Sequence, residues 1–426
     1  MFVLVLKFTL FVIIGLILVY TIRHYTFTLN RLFGRQRHPY INIDTASWPN
    51  VTVLVAAHNE EAVIENSIEA LLRVNYPSNK FKIMIANDRS TDRTAEIIDD
   101  FAARYPEIIK VLHRKENDHP GKASALRDAT QYIDSEIIII FDADYIPGLG
   151  LIKQLAAPFF DPEVGLVMGR VVPVNTGYNL LTRLLDLERA GGYQVDQQAR
   201  MNLGLVPQYG GTVGGVRRAA LESVGGWLED TLAEDTDITY RTILKGWKSV
   251  YQNHSECYEE APETWPVRMN QITRWAKGHN QSMCRYTFQC FATKKVSLSE
   301  KIDSILLLGV YMMSPIVMLG WTIAILLFYM GENNLLVGSL ALFAITAFGT
   351  IGNFAAFFEI TSAVHLDGGK KRVLLLPFNL FNFLISAVTV SIATIAQLLS
   401  GANGCHPRTW VKTPRFRDNN FVIEQE

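Results

Sequence analysis

Apolar residues fall along the chain in three regimes. The first is a near-continuous run, Phe2 to Ile22 (FVLVLKFTLFVIIGLILVYTI), interrupted only by Lys7. Its length suits the hydrocarbon core of a bilayer, and a lysine near one end can extend its ammonium to the interface. The following stretch, YTIRHYTFTLNRLFGRQRHP, is basic and bulky and offers no small-residue cleavage site, so a retained anchor over residues 1–24 is expected. Those arginines place the next domain on the cytoplasmic side. The last regime, residues 302–400, holds three further apolar runs, Ile302 to Met330, Asn334 to Ile360 and Val373 to Leu399, each long enough to cross. Three full crossings would leave the basic tail 401–426 outside, against the positive-inside preference. The third run contains Pro377, Asn379 and Asn382 and is therefore expected to be re-entrant or interfacial.

The middle regime, residues 36–300, alternates short apolar runs with helical periodicity. Val51–Ala57, Phe81–Ala86, Ile108–His113 and Ile137–Phe141 read as buried strands, and EEAVIENSIEALLRV and GKASALRDATQYI as helices. In NDRSTDRTAEIIDDFAARY, Ser90 or Thr91 is expected to cap the next helix. This βαβα order predicts an α/β domain with a mostly parallel sheet and ligands at the carboxyl ends of its strands.

Three polar constellations carry candidate chemistry. The strand IIIIFDADYIPG ends on Asp142 and Asp144, two carboxylates at the sheet edge where ligands of such folds bind. Magnesium needs only one or two carboxylates when substrate phosphate supplies other oxygens, so the pair is a candidate metal site. Glu234, Asp235 and Asp237 open an amphipathic helix; they complement its dipole or supply acid–base chemistry. Gln271, Arg274 and Trp275 share one side of a helical turn, uniting a phosphate-binding fork with a flat face suited to a sugar ring.

Composition narrows the classes. With 49% hydrophobic residues over 426, the chain is too apolar for an ordinary soluble protein, and its net charge of −1 comes without a basic, aromatic-laced patch that would suggest nucleic acid. There is no dinucleotide fingerprint and no phosphate loop. Cys257, Cys284, Cys290 and Cys405 lack paired or zinc-like spacing and are expected to be free thiols. His58 and His279 are expected to be structural.

Taken in order, HNEE, NDRSTD, GKASAL, DAD, GGTVGGVRRAALESVGGW, AEDTD and QITRW resemble the family 2 inverting glycosyltransferases, specifically the membrane-integrated polysaccharide synthases, over about residues 50–285. The resemblance implies a GT-A domain, a nucleotide-sugar donor (UDP-linked is expected) and Mg2+ or Mn2+. It implies Asp88 and Lys122 near the nucleotide, Asp142 near ribose or metal, Asp144 on the metal and Asp235 as general base beside Glu234. Arg274 would meet the donor's pyrophosphate, Gln271 would belong to the same binding set, and Trp275 would line the acceptor end. The sequence has Asn87 where the family carries an acid, Arg89 where it carries a glycine, and Ala233 where it carries threonine. The tail segment WVKTPR resembles the gating segment of hyaluronan and chitin synthases. The function expected is extension of a β-linked polysaccharide with translocation through the membrane. Single transfer to a lipid or membrane acceptor is the alternative, and a catalytically inactive nucleotide-sugar-binding scaffold the third reading.

Overall fold

The computed structural model describes residues 1–38, 47–332 and 350–400. Cys405, the segment WVKTPR and most of the run from Asn334 to Ile360 lie outside them. The central domain is built on β1 (Val51–Ala57), β2 (Phe81–Asn87), β3 (Ile109–His113), β4 (Ile137–Asp142), β5 (Ile146–Pro147), β6 (Val164–Pro173), β7 (Gly214–Arg217) and β8 (Lys248–Glu259). They form one sheet in the order β3-β2-β1-β4-β7-β6-β8-β5. The first four are parallel, β7 is antiparallel to β4 and β6, β6 and β8 are parallel, and β5 closes the edge antiparallel to β8. The sheet is thus mixed, with its parallel half coming from the strands legible in the sequence. Ile137 to Phe141 are at most 1% exposed, as a strand covered on both faces requires.

Helices connect and flank these strands: α1 (Phe2–Phe33), α2 (Ile64–Leu72), α3 (Thr94–Arg104), α4 (Lys122–Thr130), α5 (Leu151–Ala156), α6 (Leu180–Ala190), α7 (Gln198–Leu203), α8 (Arg218–Ser223), α9 (Glu234–Lys245), α10 (Trp265–Ala292), α11 (Leu298–Leu308), α12 (Met313–Tyr329), α13 (Thr350–Leu366) and α14 (Leu376–Leu399). The cap expected at Ser90 or Thr91 is elsewhere. Helix α3 starts at Thr94, whose N–H donates to Asp92 Oδ1 at 3.0 Å. Ser90 Oγ instead accepts from Asn59 N (3.0 Å), and Thr91 N donates to Asn59 Oδ1 (2.7 Å), tying NDRSTD to HNEE.

Among the described residues, three helical stretches are long and apolar enough to cross a membrane: Phe2–Phe33, Val310–Tyr329 and Lys370–Leu399. Leu10, Ile13 and Ile14 of α1 pack against Ile323 and Leu327 of α12, with Lys7 paired to Glu332 at 2.6 Å. The other end of α1 continues past the expected anchor and docks on the domain, Arg23 Nε meeting Asp303 Oδ1 at 2.8 Å and Arg31 Nε donating to Gln194 O at 2.7 Å. Helix α14 is not interrupted at Pro377. Proline sits in its first turn, where the missing N–H costs nothing. The helix turns Asn379, Asn382, Thr389, Ser391, Thr394 and Gln397 inward and leaves Phe381, Ile392 and Leu398 exposed, so its polar side faces protein and its apolar side faces out. Its inner side is held along α10 by Asn280 Nδ2 donating to Thr394 Oγ1 (3.0 Å) and Gln397 Nε2 donating to Lys277 O (3.1 Å).

Candidate active site

The side chains singled out in the sequence converge. Asp88, Lys122, Asp142, Asp144, Glu234, Asp235, Gln271, Arg274 and Trp275 all line one cavity of about 500 Å³ at the carboxyl ends of the parallel strands. Strand β4 delivers Asp142 beside Ala56 of β1, and the loop before β7 closes over it, Asp142 N donating to Thr212 Oγ1 at 3.1 Å.

Lys122, in the first turn of α4, links the two acidic groups. Its Nζ lies 2.6 Å from Asp142 Oδ1, 3.3 Å from Glu234 Oε1, and donates to Gly211 O at 2.9 Å. Burial disfavours its charge, but Asp142 and Glu234 outweigh that and hold its pKa above the ordinary lysine value. Gly211 has φ +80°, and a Cβ there would stand 3.2 Å from Asp235 Cβ, so only glycine brings this loop so close to the carboxylates without strain.

Asp235 is placed by the start of α9. Burial, reinforced by the neighbouring Glu234 charge, raises its pKa to about 6, while the Thr236 N–H, Lys122 and Arg274 pull it down. Thr236 N donates to Asp235 Oδ1 at 2.6 Å, fixing that oxygen. A carboxylate with this pKa, in a cavity, fits a general base near neutral pH. Gly278 of α10 faces Ala233, and a Cβ on it would approach Ala233 Cβ to 2.7 Å. The close contact of α9 with α10 therefore depends on a residue without a side chain. The same helix carries Arg274, which lies close enough to Asp235 to lower its pKa, and Trp275 into the cavity.

Asp88 lines the cavity with both oxygens engaged: Oδ1 meets Arg114 Nη1 (2.5 Å) and Arg89 Nε (3.0 Å), and Oδ2 accepts from Gly121 N (3.0 Å). It ties the end of β2 to the turn that launches Lys122. His58 belongs to the same corner, its Nδ1 lying 2.6 Å from Asp88 O. His279 also lines the cavity; burial lowers its pKa to about 4, and the neutral ring donates from Nε2 to Leu307 O at 3.0 Å.

The tertiary structure adds residues that sequence reasoning missed. Arg189 and Arg268 lie over the Trp275 ring, 5.2 and 5.3 Å from its centroid, and pair with Glu259 (2.7 Å) and Glu188 (2.5 Å). Gln271 Oε1 accepts from Arg268 Nη1 at 2.8 Å. Gly192, Tyr193, Asp196 and Gln197 reach the cavity from a π-helical segment, Gly191–Gln197. Such wide turns are frequent at functional sites, but no residue pattern announces them. Cys257 and Cys290 are free thiols, and no cysteine among the described residues lines this cavity.

A divalent ion is also compatible with the donor set. Among the described residues no cluster of three or more His, Cys, Asp or Glu could enclose a metal alone. Asp142 and Asp144 instead match the pattern in which one or two carboxylates share a magnesium-type ion with phosphate oxygens and water.

The chain is 32% identical over 259 residues to the beta-monoglucosyldiacylglycerol synthase of Synechocystis, covering 61% of this chain and 53% of that protein. It is 28% identical over 268 residues to glucomannan 4-beta-mannosyltransferase 7 of Arabidopsis thaliana, covering 61% and 48%. The chain thus matches about half the length of these relatives. The fold matches that of a mannosyltransferase from Pyrobaculum calidifontis in complex with GDP-Man and Mn2+, with a TM-score of 0.64 at 19% identity, over 93% of this chain and 99% of the other. Residues 49–278, which hold every side chain placed in the cavity's acidic and Gln-x-x-Arg-Trp groups, match the model of the "Glycosyltransferase like family 2", and the chain belongs to that family.

Proposed function

We propose that this protein is a membrane-embedded inverting glycosyltransferase that moves one hexosyl or N-acetylhexosaminyl group from a nucleotide sugar to a hydroxyl on a membrane lipid. The observation that carries the reading is the single cavity in which Asp235, its pKa raised to about 6, stands with Lys122, Asp142, Asp144 and Arg274. Inverting transfer needs one in-line displacement. The acceptor hydroxyl would lose its proton to Asp235, and Arg274 would stabilise the departing diphosphate. Trp275, at the far end of the same helical turn, would border the acceptor. Asp142 and Asp144 would hold Mg2+ or Mn2+, an ion that neutralises diphosphate charge when bound. Lys122 would hold Asp142 and Glu234 in place. A UDP-linked donor is the reading carried from the sequence; the mannosyltransferase with the same fold holds GDP-Man.

A lipid acceptor is favoured over a polymer because the diacylglycerol-directed relative is the more similar of the two described, at 32% against 28% identity. For the tail to share the side of the catalytic domain, α14 would lie along the interface and not cross fully. With α12 leading outward and the chain returning through α13, the tail would then remain on the cytoplasmic side with the catalytic domain. Extension of a β-linked polysaccharide is the second reading, favoured by the likeness of WVKTPR to a synthase gating segment.

Incubation of purified protein with UDP- and GDP-sugars, Mg2+ or Mn2+ and membrane lipid separates the readings. Single additions to lipid support the proposal. Long saccharide products would transfer it to the polymer reading, and donor binding without any product would leave an inactive scaffold.

A further inference from the structure

The start of α9 is not fixed by a cap of its own. Its N-cap residue, Ala233, has no side-chain acceptor for the first-turn N–H groups, so this turn must be held from outside if Asp235 is to keep one orientation. The loop before β7 supplies the hold. Gln208 Nε2 donates to Thr236 Oγ1 at 2.8 Å, and Tyr209 N donates to Thr239 Oγ1 at 3.2 Å. With the amide filling one lone pair of the buried Thr236 hydroxyl, the hydroxyl proton turns toward His279 Nδ1 or Asp235 Oδ1, each 3.4 Å away. Gln208 is itself gripped at both ends of its peptide unit: Gln197 Nε2 donates to Gln208 O (2.7 Å), and Gln197 Oε1 accepts from Gln208 N (3.1 Å). Gln197 ends the wide turn Gly191–Gln197, and that turn is pinned through the buried Gln194. Its Oε1 accepts from Arg31 Nη2 (3.0 Å) and Asn253 Nδ2 (2.8 Å), and its Nε2 donates to Asp367 Oδ1. Asp367 is aimed inward by the end of α13, where Gly368, at φ +74°, donates to His365 O and Gly369 N to Val364 O, both at 3.1 Å.

We infer that Gln208, held by Gln197, is a positioning residue for Asp235: it stands in for the missing cap, fixes the first turn of α9, and leaves Asp235 Oδ2 to take the proton while Oδ1 stays tied to Thr236 N. The inference rests on Asp235 being the base and adds the residues that aim it. A base is useful only when its free oxygen meets the acceptor hydroxyl at hydrogen-bond distance, and a displacement of about 1 Å is enough to lose most of that benefit. Gln208 reaches the base helix from a loop without regular structure, so the two bonds from Gln197 give it a fixed origin. The wide turn thereby acquires a use, which is to carry Gln197 on a backbone anchored to α1, β8 and the α13–α14 connection at once.

The test removes the hold and reads the base. The full chain in detergent is assayed with Mg2+ for transfer from radiolabelled UDP-glucose or GDP-mannose to 1,2-diacylglycerol, and nucleotide-sugar affinity is measured on the same samples. Gln208→Met deletes the amide at similar length and should lower kcat by about 10- to 10²-fold with donor affinity retained. The Thr236 N–H is one of the groups that pull the Asp235 pKa down, so loosening it should move the acid limb of kcat/KM up by about half a pH unit. Thr236→Val should reproduce both effects, and Thr236→Ser, which restores the hydroxyl, should recover most of the loss. Gln197→Met should act in the same direction and less. Gln252→Met deletes another buried amide, bonded to Gln154 O at 3.0 Å and outside the cavity; it should lower the melting temperature and leave the limb in place. The shift is also read without turnover. The stability gained by Asp235→Asn grows from the unfolded pKa up to the folded one, so the pH at which it stops growing should rise in the Gln208→Met background. Wild-type rate, limb and thermal end point in both Gln208→Met and Thr236→Val, with Asp235→Asn inactive, overturn the inference and leave the base reading standing. Ordinary rates in Asp235→Asn sink the base reading and the inference with it. If the wild type transfers to no acceptor, the proposed function falls, and the thermal end point alone decides whether Gln208 holds Asp235.

Discussion

Asp142 and Asp235 line the same cavity and differ in almost every other respect. Asp142 ends a parallel strand, keeps 31% of its side chain exposed and has a lysine 2.6 Å away. Asp235 lies in the first turn of a helix beside Glu234, whose charge adds to desolvation and pushes it up to about 6. The first arrangement sets a carboxylate against an ammonium, a place suited to a cation or to Lys122. The second makes the proton easy to gain and lose, suited to a base. One residue type would therefore supply two functions, because Asp142 faces an ammonium and Asp235 a second carboxylate.

The sharpest break in that comparison is metal removal. Excess chelator, or Asp144→Ala, should reduce transfer to background, about 10³-fold or more, with the protein still folded, since an ion stabilising the departing diphosphate is worth several kcal/mol. Full turnover in chelator would remove the strand-end carboxylates from the chemistry. Asp235→Asn preserves shape and should cost about 10² to 10⁴ in transfer while donor binding survives. An ordinary rate in that variant would pass the base to Glu234.

The pH profile is the next in size. The base must be ionised, so kcat/KM should fall about tenfold per pH unit below the raised value near 6 and level off above it. An acid limb near 4 would mean that Asp235 does not set the rate. The smallest effect concerns stability, and its sign differs between the two sites. The folded pKa of Asp235 lies above its ordinary 3.8, so the native state holds more protons across that window and loses stability as pH rises through it. Asp235→Asn should therefore raise the melting temperature at pH 7, with the gain vanishing near pH 4. Asp142→Asn should lower it at pH 7, because buried Lys122 loses its nearest partner. Thermal unfolding in detergent checks both signs.

Much of this site was legible because its parts sit at the punctuation of the sequence. Asp142 and Asp144 follow a run of four isoleucines, and Gln271, Arg274 and Trp275 recur at helical spacing. Those positions require only local periodicity to read. Arg189 was not legible, because its guanidinium over the Trp275 ring joins α6 to α10 across more than eighty residues, whereas Arg268 precedes Trp275 by two turns of the same helix and its spacing could have been read. The wide turn at Gly191–Gln197 was missed for a related reason: its backbone is set by α1 and α13 packed around it, with Ile360 lying 3.2 Å from where a Cβ on Gly191 would stand.

The sequence by itself determined the apolar anchors, the parallel strands β1 to β4 and the identity of the acids, since burial on two faces demands unbroken apolar runs and polar residues then mark their ends. Only the tertiary structure decided that β7 enters antiparallel beside β4, that Asp88 is spent on Arg114 and Gly121, and that α14 is a continuous helix with its polar side inward. In α14, asparagine and proline read locally as breaks, but Pro377 falls in the first turn and Asn379 and Asn382 are buried, with Asn382 Nδ2 donating to Glu188 Oε2 at 3.3 Å. Local patterns report what a residue prefers, and partners distant in sequence decide whether that preference is met or overruled.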